Sequence, residues 1–321
     1  MTLSLGRVFI TGGAGFIGSH LVDRLCENHV EVVVFDNLTA GRMENLKKWL
    51  NAPNFKFVFG DLLFYEKILE PLVECETIFH LAANPEVRIS STDPKVHYEQ
   101  NVLATFNLLE AIRKVGEVKT LIFASSSAVY GDAEEIPTPE NYSPLKPISV
   151  YGASKLASEA LITSYAYTYG FKALIYRLAN IVGSRARHGV IYDFIKKLRE
   201  NPRKLEILGD GTQTKSYLHV EDCINAMLMG TNLNHEKVEI YNVGSEDQVT
   251  VKEIADIVRG KMGLNNVQYT FTGGVDGGRG WKGDVKFMLL SINKLKKLGW
   301  KPRLNSRQSV EKAAEEILKN E

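Results

Sequence analysis

The chain has 321 residues, long enough for one large or two closely associated domains with ample core. Hydrophobic residues make up 44% and charged residues 24%, an ordinary globular balance. With 39 basic against 38 acidic residues the formal net charge is +1, so nothing in the balance calls for nucleic acid, and an anionic ligand must be held by local charge.

In chain order, RVFIT, EVVVF, FKFVF, TIFHL, KTLIFA and KALIY are short apolar runs rich in Val, Ile and Phe. Their continuity predicts strands buried on both faces of a parallel sheet. Stretches of helical period fall between them at 16–28, 41–51, 64–75, 98–115 and 151–169. This alternation predicts an α/β fold: a Rossmann-type doubly wound parallel sheet with right-handed crossovers. Past Asn180 the rhythm changes, with helical segments near 189–200, 221–232, 251–262 and 306–320 and a Gly-rich stretch, GGVDGGRGWKG, at 273–283. The final helix has Asn305 placed as N-cap and Val310, Ala313, Ala314, Ile317 and Leu318 on one face. The reading is a dinucleotide-binding domain over 1–180 and a smaller α/β substrate domain over 181–321, with some segments crossing back.

No segment has the roughly 18 apolar residues of a membrane span. The N-terminal residues enter an apparent core strand almost at once, which predicts a cytoplasmic protein without a signal peptide. Cys26, Cys75 and Cys223 are isolated and read as small buried hydrophobes. The seven histidines form no metal-binding pattern, and His80 and His219 read as sheet or core residues.

TGGAGFIGSHL follows the first strand and opens the first helix. Gly13, Gly15 and Gly18 satisfy G-x-G-x-x-G, and Gly12, Gly15 and Gly18 also fit a three-residue spacing. Such glycines serve a tight turn, close approach of a pyrophosphate, and helix–strand packing, with the helix N-terminus supplying donors. Asp36 ends the second strand, where its carboxylate can accept ribose hydroxyls and repel a 2′-phosphate, favouring NAD over NADP. Asp61 after the third strand suits either the adenine edge or a helix N-cap.

Tyr151 and Lys155 stand four apart in YGASK, a spacing that puts them on one helix face. A phenol of pKa about 10 is a poor base at neutral pH, and a neighbouring ammonium favours its phenolate. SSSAVYG follows the fifth strand, so one of Ser125, Ser126 and Ser127 stands where ligands bind in such sheets.

Together TGGAGFIG, FDNL, GDL, HLAA, SSSAVYG, YGASK and RLAN resemble the extended short-chain dehydrogenase/reductase family, nearest to its NAD-dependent sugar epimerases of the UDP-glucose 4-epimerase type. The resemblance runs from Arg7 to about Pro302. It implies a triad of Ser126, Tyr151 and Lys155, with Ser126 chosen by its place five residues before Gly131. It implies NAD contacts from Gly12, Gly15, Phe16, Ile17, Gly18, Asp36, Asn37, Asp61, Leu62, Leu81, Ala82, Ala83, Asn101, Tyr151 and Lys155. It also implies contacts to a UDP-sugar from Ser126, Asn180, Val190, Lys215 and Arg279, without a metal. Lys215 stands where relatives carry an arginine, and GRGWKGD departs from the usual Arg-x-Gly-Asp spacing around Arg279. A solvated surface charge is the other reading of both.

Family members that dehydrate carry an Asp–Glu pair after the catalytic Ser or Thr, and decarboxylases carry a Glu at the second position. Here these positions are Ser127 and Ala128. The expectation is therefore a UDP-glucose 4-epimerase working through a 4-keto sugar. UDP-glucuronate 4-epimerase is the alternative, through Arg185, Arg187 and His188, and a UDP-N-acetylglucosamine 4-epimerase is left open by Met288. A non-catalytic dinucleotide sensor is the alternative from another class. Helices 98–115 and 151–169 imply, by the same resemblance, a homodimer.

Overall fold

The computed structural model describes residues 5–231 and 236–320. Residues 1–4, and residue 232 at the end of the sequence-read helix 221–232, lie outside the described residues. The chain packs as two compact units. One takes the residues up to Ser126, Ala153–Arg177 and Ile224–Tyr241; the other takes Ser127–Gly152, Leu178–Cys223 and Asn242 onward.

The first unit is built on strands β1 (Arg7–Thr11), β2 (Val32–Asp36), β3 (Phe55–Phe59), β4 (Cys75–His80), β5 (Thr120–Ser126) and β6 (Lys172–Leu178). With Val238–Val243 they form a seven-stranded parallel sheet, its order from one edge being Val238–Val243, β6, β5, β4, β1, β2, β3. Sequence continuity and two-faced burial agree here: every residue of β2 is buried, as are the last four of β1. β3 differs. It pairs only with β2, and its residues are half-buried or exposed, Phe59 being 66% exposed, because an edge strand has one neighbour and thinner cover.

Helices α1 (Phe16–Glu27), α2 (Glu66–Leu72), α3 (Pro94–His97), α4 (Ala104–Val115) and α5 (Val150–Tyr169) supply the crossovers. Between α3 and α4 the chain makes a π-helical segment, Tyr98–Leu103, which carries Asn101. The helix expected over 41–51 is instead a 3-10 turn, Met43–Leu46, followed by single turns. Its hydrogen bonds close i to i+3: Asn45 to Arg42, Lys47 to Glu44, Trp49 to Leu46. Leu46 is buried, and the Trp49 indole N–H donates to Asp23 on α1, so tertiary anchors hold a segment that helical bonding does not.

β1 lies between β4 and β2, and the direction of winding reverses there. The crevice past the carboxyl ends of β1 and β4 is where ligands bind in such sheets.

The second unit holds small sheets and amphipathic helices. Asn180–Val182 pairs in parallel with Tyr217–His219, and Thr214–Lys215 lies between Val249–Thr250 and Phe287–Met288. Helix Val251–Lys261 opens on a capping box between Thr250 and Glu253. Helix Ser306–Asn320 has its expected cap: Asn305 Oδ1 accepts from Gln308 N at 2.8 Å, while Gln308 Oε1 accepts from Asn305 N at 3.1 Å. Val310, Ala313, Ala314 and Ile317 are buried. The three cysteines are buried too, which pushes each thiol up, to about 12, 11 and 12 for Cys26, Cys75 and Cys223.

Candidate active site

The turn after β1 requires glycine at two places. Gly12 has φ +72°, and a Cβ there would stand 2.7 Å from Ala82 N. A Cβ on Gly18 would stand 2.2 Å from Gly12 O, so α1 can lie this close to the turn only without a side chain. Gly15 is the N-cap of α1 and contributes no capping side chain, while Phe16 and Ile17 begin the helix. A helix N-terminus opened in this way offers donors and partial positive charge to an anion.

Asp36, the last residue of β2, is buried, and both of its oxygens accept backbone N–H groups: Oδ2 from Ala14 at 2.9 Å, Oδ1 from Leu38 at 2.8 Å. Burial raises its carboxyl above the usual value, and these two bonds oppose the rise. Each oxygen keeps acceptor capacity for a hydroxyl. Asn37 Nδ2 donates to Asp61 Oδ2 at 2.9 Å, and Asp61 Oδ1 accepts from Leu63 N. Asp61 is therefore no helix N-cap, since Tyr65 holds that place on α2; it braces Asn37 and the turn through Leu62. The glycine turn and the carboxylate at the end of the second strand fit an adenine dinucleotide.

After β4, Leu81 N donates to Thr11 O and Ala82 N to Thr11 Oγ1, which lays Leu81, Ala82 and Ala83 beside the turn that follows β1. Thr11 Oγ1 is 2.7 Å from His80 Nδ1, and His80 Nε2 is 2.9 Å from Thr105 Oγ1. Burial drives the His80 imidazole down to about 3, so it stays neutral, as the core reading of this histidine requires. Thr105 Oγ1 donates to Asn101 O, and Asn101 Nδ2 donates to Ser154 Oγ at 2.9 Å. One buried polar chain thus joins the ends of β1 and β4 to α5. The π segment decides where Asn101 points, and no periodicity in the sequence announces it.

Ser126 is the last residue of β5, and Lys155 lies in the second turn of α5. Lys155 is 4% exposed, donates to Ala124 O at 2.9 Å and lies 4.8 Å from the centre of the Phe123 ring. Burial lowers its ammonium to about 8, against a smaller opposing pull from Glu159. Tyr151 precedes it by four residues on the same helix.

In the second unit, Asn180 Nδ2 donates to Ser216 O at 3.1 Å, and Val190 opens helix Val190–Glu200. Lys215 and Arg279 converge on one residue. Lys215 Nζ is 2.5 Å from Asp284 Oδ1, and Arg279 Nη1 donates to the Asp284 carbonyl. Arg279 also makes a two-pronged pair with Asp132, at 3.0 and 2.9 Å. Lys215 stands 5.5 Å from the centre of the Trp281 ring. The surface-charge reading fails for both cations, since Lys215 is 15% and Arg279 19% exposed. Asp132, Trp281 and Asp284 escaped sequence reasoning, because no spacing marks a residue as the partner of a cation 69 or 147 positions away.

A doubly wound sheet with a glycine turn, a carboxylate at the end of the second strand and a YxxxK helix defines a dinucleotide-binding protein of the short-chain dehydrogenase/reductase kind. The family model of GDP-mannose 4,6 dehydratase matches residues 9–313. A Methanocaldococcus jannaschii protein named "Putative UDP-glucose 4-epimerase" is 36% identical, over 98% of this chain and 99% of its own length. UDP-glucuronic acid decarboxylase 3 of Arabidopsis thaliana is 32% identical, over 95% and 86%. Among solved structures, a UDP-galactose 4-epimerase superposes with a TM-score of 0.87 at 47% identity, covering 98% of this chain and 99% of the other. The Thermotoga maritima UDP-glucose 4-epimerase with UDP-glucose gives 0.86 at 31%, covering 98% and 99%. The Thermus thermophilus UDP-glucose 4-epimerase complex with NAD gives 0.83 at 32%, covering 97% and 98%. The chain belongs to the NAD-dependent epimerase/dehydratase family, the extended branch of the short-chain dehydrogenases/reductases. No helix among the described residues is long and apolar enough to cross a membrane.

Proposed function

We infer that the protein is a UDP-sugar 4-epimerase interconverting UDP-glucose and UDP-galactose, with NAD held by the glycine turn, Asp36, Asn37, Asp61, Leu62, Leu81, Ala82, Ala83, Asn101, Tyr151 and Lys155. The observation that carries this reading is the Tyr151–Lys155 helix, with Lys155 buried and bonded to the strand end that carries Ser126. NAD, when bound, supplies a hydride acceptor and, once reduced, the donor. Tyr151 takes the proton of the sugar 4-hydroxyl, and the Lys155 ammonium makes its phenol acidic enough to do so. Ser126 hydrogen-bonds the same hydroxyl. Asn180, Val190, Lys215 and Arg279 hold the nucleotide diphosphate while the 4-keto sugar turns over, and Tyr151 then returns the proton. Ser127 and Ala128, following Ser126, carry no carboxyl group for dehydration.

Purified protein given UDP-glucose, UDP-galactose, UDP-glucuronate and UDP-N-acetylglucosamine, without added NAD, tests this. The expected result is interconversion of the first pair, lost in Tyr151→Phe with bound NAD retained. Turnover of UDP-glucuronate alone would favour the second reading. That reading draws on the likeness to UDP-glucuronic acid decarboxylases and on Arg185, Arg187 and His188 ahead of helix Val190–Glu200. Undiminished turnover in Tyr151→Phe would overturn the mechanism, and retained NAD without any turnover would indicate a dinucleotide sensor. The same reading includes a cytoplasmic homodimer joined through α4 and α5, whose Phe106, Tyr167 and Tyr169 are exposed; sedimentation checks the dimer.

A further inference from the structure

The first unit contains a buried charged cluster that this mechanism does not use. Ser125, Glu159 and Arg177 are 3%, 4% and 3% exposed. Arg177 Nε donates to Glu159 Oε1 at 3.0 Å and Nη2 to Oε2 at 2.7 Å, while Ser125 Oγ donates to Oε1 at 2.5 Å. Replacing a buried ion pair by apolar side chains of like volume is often neutral or stabilising, so net stability is a poor account of this one. Its place suggests another. Glu159 follows Lys155 by one turn of α5, and Ser125 follows Ala124, the acceptor of the Lys155 bond. Two successive turns of the helix are therefore bonded to two successive residues of the strand. The next residue of the strand is Ser126, and the preceding turn of the helix carries Tyr151.

Charge points the same way. Lys155 is enclosed against Ala124 O and the Phe123 ring of β5, and the titratable groups that bear on it are His80 on β4, His97 on α3 and Glu159 on α5, the last paired with Arg177 on β6. Burial keeps His80 neutral and lowers His97, so neither offers negative charge. Glu159 is the carboxylate that favours the Lys155 ammonium. We propose that Glu159, pinned by Ser125 and Arg177, is a positioning residue that keeps Lys155 charged and holds its turn of α5 in register with Ser126. The proposal rests on the reading of Tyr151 and Lys155 as the reacting pair.

The test is Glu159→Gln in the protein carrying its co-purified NAD, because glutamine keeps the shape and an acceptor for Ser125 but loses the charge. The Tyr151 phenolate is followed by ultraviolet absorbance against pH, as the difference from Tyr151→Phe in each background. With Lys155 losing its proton earlier, the phenolate is expected to appear at least about one pH unit higher than in the unsubstituted protein. At pH 8, kcat is expected to fall about tenfold with KM little changed. Ser125→Ala keeps both charges and is expected to lower kcat about threefold, with Ser125→Thr restoring it. If Arg177, left without its carboxylate, prevents Glu159→Gln from folding, Glu159→Gln/Arg177→Gln removes the mismatch and is expected to move the phenolate in the same direction. A folded variant of either kind with its phenolate at the unsubstituted pH overturns the proposal. Failure of the parent reading looks different: the unsubstituted protein would then show no tyrosine titrating below the ordinary range, or no turnover of any UDP-sugar.

Discussion

Replacing Lys155 by methionine should abolish turnover and stabilise the fold. In the unfolded chain the ammonium titrates near its ordinary 10.5, whereas burial brings it to about 8 in the folded protein. That gap corresponds to roughly 3 kcal/mol of unfavourable free energy at neutral pH, at 1.36 kcal/mol for each pH unit. The sign follows from linkage. Between about 8 and 10.5 the unfolded chain binds the extra proton, so stability from this group rises with pH across that window, and the full cost is felt below it. Methionine matches the length of the stem but gives up the 2.9 Å bond to Ala124 O, which costs about 1 kcal/mol. Lys155→Met is therefore expected to be more stable by about 2 kcal/mol at pH 7, an advantage that is gone by about pH 10 and turns into a deficit of up to about 1 kcal/mol above it. Urea unfolding of nucleotide-free protein at several pH values measures the difference without cofactor linkage. A variant less stable than the unsubstituted protein at pH 7 would show that the buried ammonium is compensated, and would refute the reasoning.

Gly18→Ala places a Cβ against the Gly12 carbonyl and should cost several kcal/mol with loss of co-purified nucleotide, read by thermal unfolding and nucleotide content. Asp36→Asn removes the charge at the end of β2 and should narrow the preference for NAD over NADP about tenfold or more, measured by dinucleotide titration; an unchanged preference would remove Asp36 from the ribose site. Arg279→Ala is expected to raise KM for the UDP-sugar about tenfold or more, while Asp132→Ala, which releases the guanidinium, should leave KM equal or lower. Steady-state kinetics separate the two, and equal losses in both variants would make the pair a brace for the loop and not a phosphate ligand.

What the sequence by itself determined is the part of this protein that depends on neighbours along the chain. Apolar runs such as the VVVF of β2 favour burial on both faces, and their alternation with helical periods specifies the wound sheet. The glycine turn and the one-turn spacing of Tyr151 and Lys155 are likewise local matters of sterics and pitch. The tertiary structure decided whatever depends on partners far apart. β3 is a mainly apolar run like its neighbours yet lies at the sheet edge, and residues 41–51 have helical period yet follow Trp49 to Asp23. Lys215 and Arg279 read alike as cations until Asp284 and Asp132 reach them from distant segments. The same holds for the carboxylate beside Lys155. Glu159 is one more polar residue of an amphipathic helix in sequence, and only folding encloses it between β5 and β6, where low polarity turns a nearby charge into control over a proton.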